Sequence, residues 1–169
     1  MLVGASLTSI VMPKVPPHLV VDISGDESES LLTEWRWLIG DDKRVLLVTA
    51  SGDVFLMDAE DHVLWLETGS GQLTQVASSS LAFHAALQDD SNQREWLLGP
   101  VVEGLRASGK VPGPGECYGF CMPAVLGGAY EGDNRVAVSA REHFGFTGYL
   151  HGKMRDLPDG TKVKLKWEG

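Results

Sequence analysis

Two cysteines and five histidines are the side chains in this chain best suited to covalent or acid–base chemistry. Cys117 with His143 or His151 is the pairing that a thiol nucleophile and its base would require. Nothing in the spacing singles that pairing out, because any chain with several histidines offers such combinations. No serine sits in a GxSxG elbow. His143 and His151 fall eight residues apart on one predicted helix, about 12 Å along its axis, which is too far to share a metal. They read as ordinary surface or boundary histidines. Cys117 and Cys121 lie in a strand-like run, where four residues span roughly 13 Å, beyond the ~7 Å that a disulfide tolerates between Cα atoms. Two buried, reduced thiols are expected, and a zinc site built on them would be half empty.

Carboxylates offer a second possibility. Asp53, Asp58, Glu60 and Asp61 cluster on one predicted hairpin, as a paired-carboxylate or calcium site would need, but their spacing does not fit a DxDxDG loop. Turn chemistry accounts for Asp58 and Asp61 without an ion. The same cluster also suits a projecting negative patch for a basic protein partner. Gly69-Ser70-Gly71 and Gly113-Pro114-Gly115 match neither GxxxxGK[ST] nor GxGxxG, and a proline in the second removes a donor that a phosphate cradle needs. Neither a metal nor a cofactor is expected. Trp35 and Trp37 flank Arg36 on a predicted helix, about 200° apart around its axis, so one faces the core. The other is covered by the amino-terminal arm or serves as an aromatic anchor for a partner.

These groups must be held by a single domain, by the prior for 169 residues, with 43% hydrophobic content to fill one core. The net charge is −9, and it is uneven. Residues 1–150 hold 9 basic and 20 acidic side chains, residues 151–169 hold 5 and 3. Such a surface opposes nucleic acid and anionic membranes and complements a basic protein. No run approaches the ~20 apolar residues of a membrane span, and Met1–Met12 lacks a basic residue ahead of its apolar stretch. A cytoplasmic protein is expected.

Three prolines in five residues (Pro13, Pro16, Pro17) mark residues 1–27 as an arm, with a strand over Leu19–Ile23. A domain follows over 28–169. A helix is predicted from Ser28 to a stop at Gly40, with Leu31, Leu32, Trp35 and Leu38 on its apolar stripe. Strands at Val45–Thr49, Asp53–Asp58, His62–Thr68 and Leu73–Ala77 form an antiparallel meander. Helices at Ser78–Leu87 and Ser91–Ser108 come next. Strands at Glu116–Met122 and Arg135–Ser139, a helix at Ala140–Asp156 and a strand at Thr161–Trp167 complete the chain. In that last strand Lys162, Lys164 and Lys166 alternate with apolar residues. The class is α+β, a mainly antiparallel sheet with helices packed on one side.

LLTEWRWLIG, GDVFL, VLWLETGSGQLTQVA, EWLLGPVVEGL, PGECYGFCMPAVLGGAYEGDN and HFGFTGYLHGKMRDLPDGTKV together resemble the bacterial immunity-protein family that accompanies type VI secretion DNase effectors. The likeness is strongest over Trp96–Val163 and runs more loosely back to Leu31. Members often carry a larger, GAD-like amino-terminal portion, whereas the stretch before Leu31 here is short and rich in proline. The resemblance implies an antitoxin that binds a cognate nuclease toxin and catalyses nothing. It carries over Tyr118, Gly119, Gly127, Gly128, Pro158 and Gly160 as structural positions. With the acidic body, it makes Trp37, Asp58, Glu60 and Asp61 the expected partner-binding residues. The alternative is a small Cys/His-dependent hydrolase or ligand-binding enzyme using Cys117, His143 or His151. A nucleic-acid-binding regulator acting through Lys162, Lys164 and Lys166 is a third reading.

Overall fold

In the computed structural model, residues 15–167 are described. The expected meander is there. Strands β1 (Val20–Val21), β2 (Arg44–Thr49), β3 (Val54–Met57), β4 (Val63–Glu67) and β5 (Gln72–Ala77) form one antiparallel sheet in chain order. Residues 1–14 of the expected arm lie outside the described residues. Its remainder joins the body, with Leu19 buried and β1 pairing with β2 in the register Val20 to Thr49.

The fold class is α+β as expected, but helices cover both faces of the sheet rather than one. Val54, Phe55 and Leu56 are all fully buried. Because successive side chains point to opposite faces, that is possible only if both faces are packed. Val54, Leu56, Leu66 and Val48 meet Leu31, Leu32, Trp35, Ile39 and Phe144 on one side. Phe55 and Val63 meet Phe83, Leu87, Trp96, Leu97, Val102 and Leu105 on the other. The second core is aromatic at its centre, with the Phe55 ring 4.8 Å from Phe83 and 5.8 Å from Trp96. Burying one such ring contributes roughly 1.5–3 kcal/mol. The VFLM run, apolar without alternation, carried this information.

The first predicted helix breaks into three pieces: α1 (Gly25–Leu31), a 3-10 turn at Thr33–Trp35 and α2 (Arg36–Ile39), ending at Gly40. Hydroxyls explain the break. Ser28, Ser30 and Thr33 each donate to the carbonyl three residues back, which competes with the regular helical ladder. The 3-10 turn also changes the tryptophan geometry, because at ~3 residues per turn a two-residue step leaves side chains only about 120° apart. Trp35 and Trp37 therefore stack, with centroids 6.1 Å apart, instead of facing opposite ways.

Two helices replace the single one expected over Ser91–Ser108: α4 (Asp90–Trp96) and α5 (Gly99–Ala107), after α3 (Ser80–Ala86). Leu98 between them takes a left-handed φ of 48°, and Pro100 cannot donate to a preceding turn. Ser79 and Asp89 cap α3 and α4 through their side chains. A two-stranded sheet of β6 (Glu116–Phe120) and β7 (Arg135–Ser139) then leads into α6 (Ala140–Met154).

Thr161–Trp167 is not a strand. The alternation of lysines is present, but no neighbouring strand among the described residues takes up its backbone groups, and a strand exists only through such pairing. Trp167 instead lies against Phe146, centroids 5.7 Å apart. Strand β6 stops at Phe120, so Cys121 is exposed while Cys117 is buried, and both thiols are free.

Close approach of α6 to the Thr33–Trp35 turn depends on Gly148. A Cβ there would stand 2.8 Å from the Glu34 carbonyl. Gly148→Ala is expected to lower stability by about 1–3 kcal/mol, read from the midpoint of urea unfolding. An unmoved midpoint would mean that the turn yields freely.

Candidate functional site

A polar cluster, rather than a reactive pair, occupies the junction between the two sheets and α6. Arg135, 1% exposed, enters from the start of β7. Its guanidinium donates to the carbonyls of Ser51, Tyr118 (3.1 Å) and Tyr130 (3.2 Å) and stacks 4.2 Å from the Phe120 ring centroid. Its Nε has no acceptor among the described residues. The β2–β3 turn supplies the Ser51 carbonyl, β6 that of Tyr118 and the β6–β7 connection that of Tyr130, and the same turn carries Asp53, whose Oδ1 accepts from the Thr68 backbone N–H at 2.9 Å. Burial raises the Asp53 carboxyl to about 6, with the Thr68 amide and the Arg135 charge opposing the shift.

Helix α6 contributes the rest. His143 Nε2 lies 2.9 Å from the Gly52 carbonyl, to which it donates, and 2.9 Å from Thr68 Oγ1. Burial depresses its pKa to about 4, so the ring is neutral near pH 7. His151 Nε2 donates to the Thr68 carbonyl at 2.9 Å, and burial lowers its pKa as well. Neither is a surface or boundary histidine, contrary to the expectation. The signal was in the sequence: His143, Thr147 and His151 recur every four residues on the stripe that also buries Ala140 and Phe144. Arg135 left no such trace, being one charge at the head of an apolar strand.

The thiol and imidazole pairing does not form. Cys117 is fully buried in the core beside Phe144, and its thiol is pushed up to about 12 by burial. No hydrogen bond joins it to His143 or His151 among the described residues. A cavity of about 160 Å³ reaches His143 between Phe120, Pro123 and Phe146. Its lining is mostly apolar and does not include Cys117.

The four residues expected to meet a partner separate into two places. Asp53 leaves the acidic cluster for the buried network. Asp58 serves its own turn, accepting from the backbone N–H groups of Glu60 (3.0 Å) and His62 (2.8 Å) and lying 2.9 Å from His62 Nδ1. Asp61 accepts from the Ser80 N–H at the start of α3 (3.2 Å). Glu60 alone projects freely. Asp58, Glu60 and His62 each offer one ligand-type atom, all within 4.8 Å of one another; the histidine in that trio was not among the carboxylates considered from sequence.

Trp37 lies toward the opposite end of β4, against α6. Its Nε1 donates to the Gly148 carbonyl (3.2 Å), and the ring remains 37% exposed. It forms a ridge between two depressions. On one side Glu34, Gly148, Tyr149, Gly152 and Lys153 line a groove of about 290 Å³. On the other, Arg155, Leu157, Thr161, Lys162 and Val163 help to line a wider cleft of about 820 Å³. No described helix is long and apolar enough to cross a membrane.

Residues 77–151 match the family described as T6SS immunity protein Tdi1, C-terminal, T6SS denoting the type VI secretion system. No curated protein matches the chain. The matched stretch opens on the last residue of β5 and closes within α6, so it holds α3 to α6 with β6 and β7 and leaves out β1 to β4. Arg135, His143 and His151 belong to it, and they bond to Ser51, Gly52 and Thr68 before it. Tyr118, Gly119, Gly127 and Gly128 lie inside the match and Pro158 and Gly160 beyond it. A Cβ on Gly128 would fall 1.9 Å from the Met122 carbonyl oxygen, in keeping with a structural position.

Proposed function

We propose, from the premise that residues 77–151 carry the C-terminal module of a type VI secretion immunity family, that this protein is an antitoxin that binds and neutralises a DNase effector, by occluding its active site or distorting it. The family match is the observation that carries the reading. The charge of −9 supports it, because a nuclease must present positive charge to DNA phosphates, and a negative inhibitor gains association rate and selectivity from that same surface. The inhibitor acts by contact, without turnover, in the cytoplasm of the cell it protects. Trp37, Asp58, Glu60 and Asp61 are the proposed contact residues.

The test is a DNA cleavage assay with the nuclease effector encoded beside this chain. Stoichiometric protein should abolish cleavage and co-elute with the effector in gel filtration. Undiminished cleavage at excess protein, with no complex, would remove the reading.

A further inference from the structure

The four proposed contacts lie too far apart in the fold to form one small patch, and the two places differ in what they have free to offer. At the β3–β4 turn, Asp58 and Asp61 already accept backbone N–H groups, which leaves Glu60. Around Trp37 the situation is reversed. Residues 22–42 contain seven acidic side chains and one basic one, and Asp26, Glu27, Glu29 and Glu34 are all exposed. Among the described residues only Glu29 of these four has an ion-pair partner, Arg36 at 3.7 Å. Helix α1 and the Thr33–Trp35 turn both pack on α6, and of these acids Glu34 lines the groove itself, beside Lys153 and Arg155.

Two aromatic rings stand in that groove, Trp37 and Tyr149, the latter 55% exposed. Each already carries a cation from its own chain. Arg155 lies 5.4 Å from the Trp37 centroid and Lys153 lies 5.4 Å from that of Tyr149. Both cations are themselves exposed and held there by little else, although Arg155 also reaches Asp156 at 3.4 Å. The geometry thus displays two ring faces that accept cations, each holding one from its own chain that a partner's cation would displace. The missing side chain of Gly152 lets the Trp37 ring seat directly on α6, since a Cβ there would come 3.0 Å from Trp37 Nε1.

We infer that the face built from α1, the Thr33–Ile39 segment and α6 is the docking surface for a basic protein, with Trp37 and Tyr149 receiving arginine or lysine side chains of the partner and with Glu34 and the acids of α1 supplying the negative charge. This rests on the reading above, in which the partner is a nuclease with a cationic DNA-binding surface. An aromatic ridge between two depressions, rimmed by charge, has the form of an interface hot spot. Helix α1 and the Thr33–Ile39 segment precede the matched module, which begins at residue 77, whereas Tyr149 lies within it.

The experiment is calorimetric titration of the full-length protein into a catalytically inactive form of the effector encoded beside it, at two salt concentrations. Trp37→Ala and Tyr149→Ala are expected to weaken binding roughly ten- to thirty-fold each. Asp26→Asn combined with Glu27→Gln should weaken binding several-fold at the lower salt concentration and flatten its salt dependence. Glu95→Gln, exposed on α4 across the sheet and outside the proposed contacts, should leave the affinity unchanged. Tyr149→Ala, at an exposed helix position, keeps the test decisive should Trp37→Ala fail to fold. Wild-type affinity for both aromatic variants, with loss in Glu60→Gln, overturns the docking face while leaving the antitoxin reading intact. Lowered melting temperature in the aromatic variants with unchanged affinity would assign the rings to cover by the chain itself, and overturns it too. Failure of the wild-type protein to bind overturns both.

Discussion

Arg135→Met should destabilise the fold by about 3–5 kcal/mol, the range for removing one partner from a buried, hydrogen-bonded charge cluster. Methionine fills much of the volume, but it leaves the carbonyls of Ser51, Tyr118 and Tyr130 without their donor. Each buried acceptor so orphaned costs roughly 1–3 kcal/mol, partly recovered by relaxation and water. Asp53 also loses the nearby positive charge that opposes its neutralisation. Urea unfolding at pH 7 measures the loss. In a double-mutant cycle, Asp53→Asn should rescue part of it, because the two groups share one network. A change below 1 kcal/mol, or strict additivity with Asp53→Asn, would show that Arg135 merely fills space.

The second large effect is a pH dependence in which two buried groups act in opposite directions. His143 titrates near 4 in the folded chain, against about 6.5 when unfolded. Between those values the unfolded chain takes up a proton that the fold refuses, so acidification through this window removes about 3 kcal/mol of stability. Asp53 behaves inversely. Its folded value near 6 lies above an unfolded value of about 3.9. The fold holds the proton more tightly there, and raising the pH from 4 to 6 removes about 3 kcal/mol. In the wild type the two contributions nearly cancel over that range.

Single substitutions should expose each of them. His143→Gln is expected to gain about 3 kcal/mol relative to wild type as the pH falls from 7 to 4, because the group that resists protonation is gone. Asp53→Asn is expected to gain a similar amount relative to wild type as the pH rises from 4 to 7. Unfolding free energies of the three proteins across that range supply the comparison. Parallel curves would mean that neither group is buried as strongly as the structure places it.

The network also bears on how the molecule is assembled. Arg135, His143 and His151 lie in the matched module, whereas Ser51, Gly52, Asp53 and Thr68 lie in the meander before it. Two apolar cores hold the layers together, but directional bonds set how the β2–β3 turn sits against β6 and α6. Such bonds fix orientation more sharply than apolar contact does, because each is lost over a small displacement. That would hold the Trp37 face at a fixed attitude to α6.

Strand positions were legible to within a residue or two for β2 to β7, because each apolar run is bounded by turn residues whose backbone preferences act locally. The α+β class followed, as did the stop at Gly40. Sequence alone also supplied the acidity and the likeness to an immunity family. Its weaker results were those that depend on what lies opposite. Lys162, Lys164 and Lys166 alternate like a strand, yet with nothing to pair against they form none. Trp35 and Trp37 stack because three hydroxyls redirect the backbone between α1 and α2. His143, His151 and Arg135 are interior because carbonyls from two turns more than 80 residues earlier, at Ser51–Gly52 and Thr68, converge on them. Local pattern specifies the elements through nearest-neighbour sterics and hydrogen bonding. Which polar groups are stripped of water, and which aromatic rings stay exposed for a partner, is decided only when distant elements close on one another.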